Sequence, residues 1–337
     1  MCIVADSVKN VDNTKIASMH VAYKTNNSKI IPAQLVVYAA TINSSTKTNA
    51  LILPVYNPGN NTNNIIPLDM SDYSDFFNEM YSLYSRWFPE KTTLSYSRNS
   101  ITNNFDNSTL EVYKVGDYKF SLMPSKKDFI RLNKEELNID PQSRASIDVH
   151  SNDYSFIVYQ FYQQGNIDIT PFAYLCKPFS ENSMIIPTIH GHPDSVDARR
   201  PWLISSVPRN FYKDILRNDY SVKSYDAIHP YSDIPYDRTN ESILNFEPKG
   251  DFDHEIYLLV KNKNLQSSKI NQSDVKDFDE LLRKINKDYL NNHIEILIPN
   301  NFTPKKIKIT GTKTNRNIMA NLHGEKFVHD LIVDQIN

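Results

Sequence analysis

Over its first two-thirds the chain keeps returning to short apolar runs rich in valine, isoleucine and aromatic side chains, separated by polar turns. Residues 2–5, 16–23, 34–42, 50–56, 154–162, 168–176 and 183–190 all have this form. Runs of that length and composition predict strands. Residues 111–115 and 118–123 flank Gly116-Asp117, a pair that supplies the positive φ a tight hairpin turn needs. Residues 255–261, 294–299 and 306–310 continue the pattern toward the C-terminus. A chain patterned this way must build its core on sheets.

Helical spacing is rarer. Phe76, Phe77, Met80, Leu83, Tyr84 and Trp87 recur at intervals of three and four, predicting an amphipathic helix capped at Ser71-Asp72. Ser125 with Asp128 has the form of a capping box opening a short helix to Leu132. Ser273 starts the clearest helix, with Asp274 and Asp277 near its positive end and Phe278, Leu281, Leu282, Ile285 and Leu290 facing inward. The expected class is α+β, a strand-dominated mixed sheet core with a few packing helices, in a single domain over 1–337.

One stretch fits neither pattern. Residues 194–250 carry Pro201, Pro208, Pro230, Pro235 and Pro248 among scattered tyrosines, with a helical candidate only near 211–216. Irregular segments longer than about 15 residues are usually functional. The segment is expected to be an insertion from the core, a lid or a partner-binding flap.

Bulk properties narrow the function classes. Apolar content of 40% and charged content of 23% suit a packed globular core. A net charge of −2 gives no electrostatic reason to expect nucleic acid. No run reaches the ~20 apolar residues of a membrane helix, so no membrane partner is expected. The first ten residues lack the basic and apolar regions of a secretory signal, so Cys2 and Cys176 are expected as free thiols in a reducing compartment. With 7 glycines against 20 tyrosines, loops must be built from Asn, Asp, Ser and Pro. The chain has no glycine-rich phosphate loop, no Gly-x-Ser-x-Gly elbow and no Cys-x-x-Cys pair.

Chemistry concentrates at two strand ends. His190 and His192 close the run Ile185-Ile186-Pro187-Thr188-Ile189-His190-Gly191-His192. On a strand that spacing puts both imidazoles on one face, ~6–7 Å apart. They can share one metal ion at ~2.0–2.1 Å, or divide substrate orientation and proton transfer between them. Beyond the 194–250 segment, Asp251-Phe252-Asp253-His254 opens another apolar strand. Convergence of the two blocks gives His190, His192 and His254 as metal ligands, a set that zinc would suit although the spacing does not fix the metal, and His192 with Asp253 as catalytic groups. Histidines at strand ends also commonly cap backbone groups, and that alternative stays open.

Cys2 is the third catalytic candidate. Removal of Met1 would leave a thiol beside an α-amino group of pKa ~7.7–8.0, the pairing used by N-terminal nucleophiles. Its alternative is a small buried hydrophobe at the start of a strand. Cys176, inside an apolar run, reads as packing. His150 ahead of a strand could be a further ligand, but reads rather as a cap or surface residue, and Lys305, Lys306, Lys308, Lys313 and Arg316 read as a solvated strand edge.

Several segments resemble an uncharacterised family of bacterial and amoebal giant-virus proteins, whose members begin Met-Cys and carry a Pro-Thr-x-His-x-His block followed by Phe-Asp-His. The matching residues are Met1-Cys2, Gln34-Leu35-Val36-Val37-Tyr38, Ile52-Leu53-Pro54-Val55, Tyr73 to Phe77, Pro187 to His192 and Phe252 to Tyr257. In that family a short turn separates the two histidine blocks, so the 194–250 segment departs from its pattern. The resemblance implies shared architecture and no particular activity; it adds weight to His190, His192, Asp253 and His254. The asparagine-rich composition suits a giant virus, which would place the protein in the host cytoplasm or packaged in the virion. Two function classes therefore stand. One is a hydrolase-like enzyme in which zinc activates water or Cys2 attacks directly. The other is a non-catalytic viral structural or interaction protein that uses 194–250 to bind a protein partner.

Overall fold

The computed structural model describes residues 3–5, 7–25, 28–89, 112–115, 118–131, 137–139, 141–148, 150–181, 183–189, 249–261, 272–285, 288–289, 292–299, 302–314, 318–321 and 325–327. Its longest antiparallel pair is β2 (Val8–Lys24) with β3 (Ile30–Ser44), where Ile16 faces Tyr38 and Met19 faces Leu35. The strand begins well before the apolar run that predicts it, because register shifts at Val8/Asn10 and Asp12/Lys15 interrupt the alternation. Asn13, at φ 48°, sits in the second of these bulges. Val8, Val11, Thr14 and Ile16 are thereby the buried positions, a spacing no strict period of two reveals.

Around this pair grows an eight-stranded sheet. Its remaining members are β5 (Ile66–Leu68), β9 (Gly165–Asp168), β10 (Phe172–Cys176), β12 (Lys249–Lys261), β15 (Glu295–Leu297) and β16 (Phe302–Thr314). Strand order is β16-β12-β2-β3-β10-β5, with β15 also on β2 and β9 also on β3. The pairing of β12 with β2 is parallel, Ile256 beside Ile16; the sheet's other ladders are antiparallel. Residues 168–176, expected as one strand, are divided between β9 and β10, both on β3. Ile169, Thr170 and Pro171 separate them, and Pro171 has no N–H to give the ladder.

A five-stranded antiparallel sheet lies against this one. It comprises β1 (Ile3–Val4), β4 (Asn49–Tyr56), β6 (Val112–Val115), β7 (Tyr118–Met123) and β8 (Tyr154–Phe161), in the order β1-β4-β8-β7-β6. The expected hairpin is β6–β7, with Val115 opposite Tyr118. Between the sheets pack Ile16, Val36, Tyr38, Ile256 and Leu258 from one side and Leu51, Leu53, Ile157 and Tyr159 from the other. Each such side chain, fully buried, contributes about 1.5–3 kcal/mol. A third, small sheet joins β11 (Ser183–Ile186), β17 (Ile318–Asn321) and β18 (Glu325–Phe327), and β13 (Asp288–Tyr289) pairs with β14 (Asn292–His293). The run expected to continue to residue 190 leaves strand geometry at Pro187.

Helices cover the outer faces. Over the large sheet lie α1 (Phe76–Ser85) and α3 (Gln272–Arg283), packing Phe76, Met80, Tyr84, Phe278 and Leu282 onto Met19, Leu35, Tyr257 and Leu259. Ion pairs Arg86–Asp277 and Lys284–Glu79 link opposite ends of the two helices, which makes them antiparallel. The helix α1 starts at Phe76, later than the Ser71-Asp72 signal, because Asp69 Oδ1 engages the Ser71 N–H and Tyr73 closes a turn on Met70. Behind the smaller sheet, Phe129, Leu137 and Ile147 pack on Ala50, Ile52, Phe156 and Val158. Ile147 belongs to α2 (Pro141–Asp148), a helix with little apolar stripe, since the other side chains it buries include Ser143 and Ser146. The Ser125–Asp128 capping box forms, with the carboxylate 2.9 Å from both the Ser125 N–H and hydroxyl, and opens a 3-10 turn over Lys126–Arg131. The class is α+β: sheets form the core and a few helices pack onto it. Among the described residues no helix is long and apolar enough to cross a membrane.

Candidate functional site

Of the residues expected to carry chemistry, Asp253 and His254 are described; Cys2, His190 and His192 lie outside the described residues, as does 194–248 of the insertion. Lys249 and Gly250 belong to β12, so this strand opens earlier than its apolar run. His254 sits between Thr14 on β2 and Ile309 on β16. It is 1% exposed and shares the inward side of β12 with Ile256, Leu258 and Val260. Burial drives its pKa well below the usual histidine range, so the ring is held neutral. The Thr14 hydroxyl, also buried, meets no hydrogen-bond partner among the described residues.

Asp253 is exposed. Successive strand residues point to opposite faces, so its carboxylate leaves the sheet on the side away from the His254 ring. The two neighbours in sequence therefore do not address one point in space. Among the described residues no three His, Cys, Asp or Glu side chains gather as a metal site.

The described residues next to the undescribed candidates, Ile189 before His190 and Ile3 after Cys2, have a clear place. Met184 and Ile186 of β11 enter the inter-sheet core, while Ile185 and Ile189 join the cluster behind the smaller sheet. Ile3 belongs to that same cluster. The sequence neighbours of His190 and Cys2 thus share one patch of core. His150 works as a cap: its Nδ1 is 3.3 Å from the Ile147 carbonyl, and its ring meets Tyr154 edge-on at 4.8 Å. Cys176 is buried, and burial pushes its thiol up to about 12.

Two polar arrangements escape the sequence reading. In the first, Gln34 Nε2 donates to Ser18 Oγ at 2.8 Å and to the Ile185 carbonyl at 2.7 Å, and Ser18 Oγ lies 3.6 Å from Met184 Sδ. Beside them the buried His20 Nδ1 accepts the Lys261 backbone N–H at 3.2 Å. Its signal was present in the sequence: Ser18 and His20 break an apolar run at alternate positions, on one face. In the second, Lys306 does not lie along a solvated edge. Its side chain is 7% exposed, its Nζ is 2.7 Å from Glu255 Oε1, and it sits over the rings of Tyr81 at 5.0 Å and Tyr257 at 5.3 Å. The Tyr257 hydroxyl donates to the other Glu255 oxygen at 2.7 Å. Burial works against the Glu255 carboxylate, but hydrogen bonds from Lys306 and Tyr257 outweigh it and hold the group below its ordinary range. No sequence spacing marks this pair, because it depends on β16 aligning Lys306 with Tyr257 and on α1 delivering Tyr81.

No family model matches the chain. Among solved structures it is similar to baculovirus P35, at 10% identity and a TM-score of 0.41, over 95% of this chain and 99% of that one. It is also similar to a mutated baculovirus P35 after caspase cleavage, at 10% identity and a TM-score of 0.37, over 91% and 99% of the two chains. A further structure of a mutated P35 after caspase cleavage gives 12% identity and a TM-score of 0.34, over 93% and 98%.

Proposed function

We propose that this protein acts by binding another protein, without turning over a substrate, and that residues 194–250 supply the surface it offers. The placement of Asp253 and His254 carries this reading. A hydrolytic site needs its imidazole and carboxylate convergent on a reacting atom. Here the imidazole is buried on the inward side of β12 between Thr14 and Ile309, and the adjacent carboxylate faces away. Both serve the strand rather than a substrate. Proline and tyrosine in 194–250 suit recognition, since rigid aromatic side chains anchor protein interfaces at low entropic cost. On the same reading the protein is a member of the giant-virus family it resembles and works in the host cytoplasm or from the virion.

A second reading is favoured by one observation, the shared cluster of Ile3 and Ile189. It keeps Cys2, His190 and His192 as a hydrolase-like group, with or without zinc, and demotes His254 to a core residue.

The test compares the full chain with a variant in which 195–248 is replaced by a short polar turn, leaving Lys249 to begin β12. Closure entropy changes only slowly with loop length, so both should unfold cooperatively. Each is then assayed for stable complexes by cross-linking in host cells and by titration with purified candidates. A caspase belongs among these, as the protease that had cut the mutated P35 of two of the structures above. Loss of the complex on deletion is the expected result. Stoichiometric zinc in the native protein, or ester or amide hydrolysis abolished by Cys2→Ser, would replace this reading with the second.

A further inference from the structure

The large sheet ends on β16, and among the described residues no strand flanks its outer side. It is a long edge. All 13 of its residues pair with β12 in one unbroken register, without the bulges that interrupt β2. Two observations fix which of its backbone groups face outward. Pro304 has no N–H, so in this antiparallel ladder its nitrogen belongs on the side away from β12. On β12, Lys261 gives its N–H to His20 of β2, so by alternation the even-numbered residues of β12 turn their N–H and C=O toward β16. Their partners Thr303, Lys305, Ile307 and Ile309 are thus hydrogen-bonded inward. Lys308, Thr310 and Thr312 direct N–H and C=O away from the sheet.

Side chains along this edge are sorted by face. Ile307 and Ile309 point into the space between the sheets and form the margin of the core. Ile256 and Ile16, one and two strands further in, are fully buried, but Ile307 is only partly covered. Lys306 and Lys308 point to the opposite face. Lys306 is drawn back onto Glu255 and the tyrosine rings, so it does not stand over the edge. Lys308 is exposed and lies opposite Glu255, whose two oxygens are held by Lys306 and Tyr257. Lys15 flanks Glu255 from β2, and the exposed Asp253 sits one strand further in than Lys308. A lysine on an edge strand normally deters pairing. It deters apolar or basic strands, a second copy of β16 among them, because they would bury or confront its charge. It does not deter an acidic one.

We propose that the outer flank of β16 docks an extended segment of a partner protein in which acidic and apolar residues alternate. The added strand pairs with the outward N–H and C=O groups of Lys308, Thr310 and Thr312. Its apolar side chains cover Ile307 and Ile309 and close the open margin of the core, while its carboxylates lie beside Lys308. Main-chain hydrogen bonds supply the affinity, and the alternating side chains choose the partner. This surface is separate from residues 194–250 and stands whether or not that segment binds.

The test titrates a capped synthetic peptide of alternating valine and glutamate into the full chain, and reads amide hydrogen exchange residue by residue. Without peptide, the Ile307 and Ile309 amides should be protected and those of Lys308 and Thr310 open. Saturating peptide should slow exchange at Lys308, Thr310 and Thr312 by about tenfold or more. Exchanging glutamate for lysine in the peptide should weaken binding by about fivefold or more, and Lys308→Glu should do the same to the glutamate peptide. Thr310→Pro removes an outward N–H and leaves the β12 ladder intact, as Pro304 does. It should abolish binding while shifting the urea midpoint little. No protection at millimolar peptide overturns the proposal, as does equal binding of the lysine peptide or binding that survives Thr310→Pro. Protection of the same amides that rises with protein concentration alone assigns the edge to a second copy, and overturns it too. If Thr310→Pro does not fold, Lys308→Glu decides: undiminished affinity for the glutamate peptide refutes the site.

Discussion

Lys306 reaches Glu255 across the β12–β16 ladder at 2.7 Å, roofed by Tyr81 and Tyr257, on a strand whose other lysines suggested open solvent. Breaking a largely buried pair leaves the surviving charge desolvated. Lys306→Met and Glu255→Gln should each lose on the order of 2 kcal/mol or more of unfolding free energy. The double variant should lose less than the sum, measured as a double-mutant cycle in urea. Strict additivity would mean that the two groups do not sense one another.

Tyr84 joins α1 to the sheet twice, through its ring and through a hydroxyl that donates to the Leu258 carbonyl at 2.5 Å. The ring meets Tyr257 at 5.0 Å and Phe278 at 5.9 Å, edge to face. Tyr84→Phe should cost about 1 kcal/mol, the net worth of a buried hydrogen bond. Tyr84→Ala should cost about 3–5 kcal/mol, because a large aromatic leaves a cavity. Equal losses in the two variants would show that the hydroxyl alone matters.

Cys176 should be inert in the folded protein. Its thiol is buried and pushed up to about 12, and the thiolate is the reactive species. In a Cys2→Ser background, a disulfide-exchange reagent should report no free thiol until denaturant is added, and then one. Prompt native-state labelling would mean that β10 is not sealed between the sheets.

Stability should fall with acid. The buried rings of His20 and His254 both have folded pKa values below that of a free histidine, His20 at about 4. The unfolded chain therefore takes up protons first, and the stability these neutral rings provide is complete above about pH 6.5 and is lost as pH falls below it. For His20 the loss levels off near pH 4 at about 3 kcal/mol. Glu255, with a lowered carboxylate pKa, adds loss as pH falls into and through the ordinary carboxylate range, where the unfolded chain takes up the proton first. Urea midpoints at pH 7 and pH 5 should differ, and His254→Gln should remove part of that difference. A flat profile would place both rings in water.

Much of the fold was legible because its strands are apolar over most of their length. Both β4 and β8 are buried on both faces nearly end to end, and a continuous apolar run is what such strands need. Where the physics is not periodic, the sequence said less. The β2 bulges hid its first half inside Val8 to Lys15, and α2 buries serines where a helix normally shows leucines. The candidate site was legible only as residue types. A His beside an Asp reads as chemistry until strand alternation sends one ring into the core and one carboxylate outward, and the bare sequence does not say which. The His20 cluster was legible only in part: Ser18 and His20 mark a polar break on one face of the strand, but the ring's partner, the Lys261 N–H, comes from a strand 241 residues away.

The parallel seam between β2 and β12 sets an order on how this protein can be made. Ile16 and Ile256 are side-by-side neighbours, yet they come from opposite ends of the chain. On the ribosome, β2 and β3 can zip together as soon as both have emerged. The flank of β2 reserved for β12 must then wait, its amides and carbonyls unpaired, until the C-terminal part is synthesised. A long unpaired strand edge is a template for pairing with the wrong chain, and non-local pairing is slow to form. Nascent chains should therefore lean on chaperones through most of translation, and products truncated before Lys249 should aggregate instead of accumulating as a smaller folded protein.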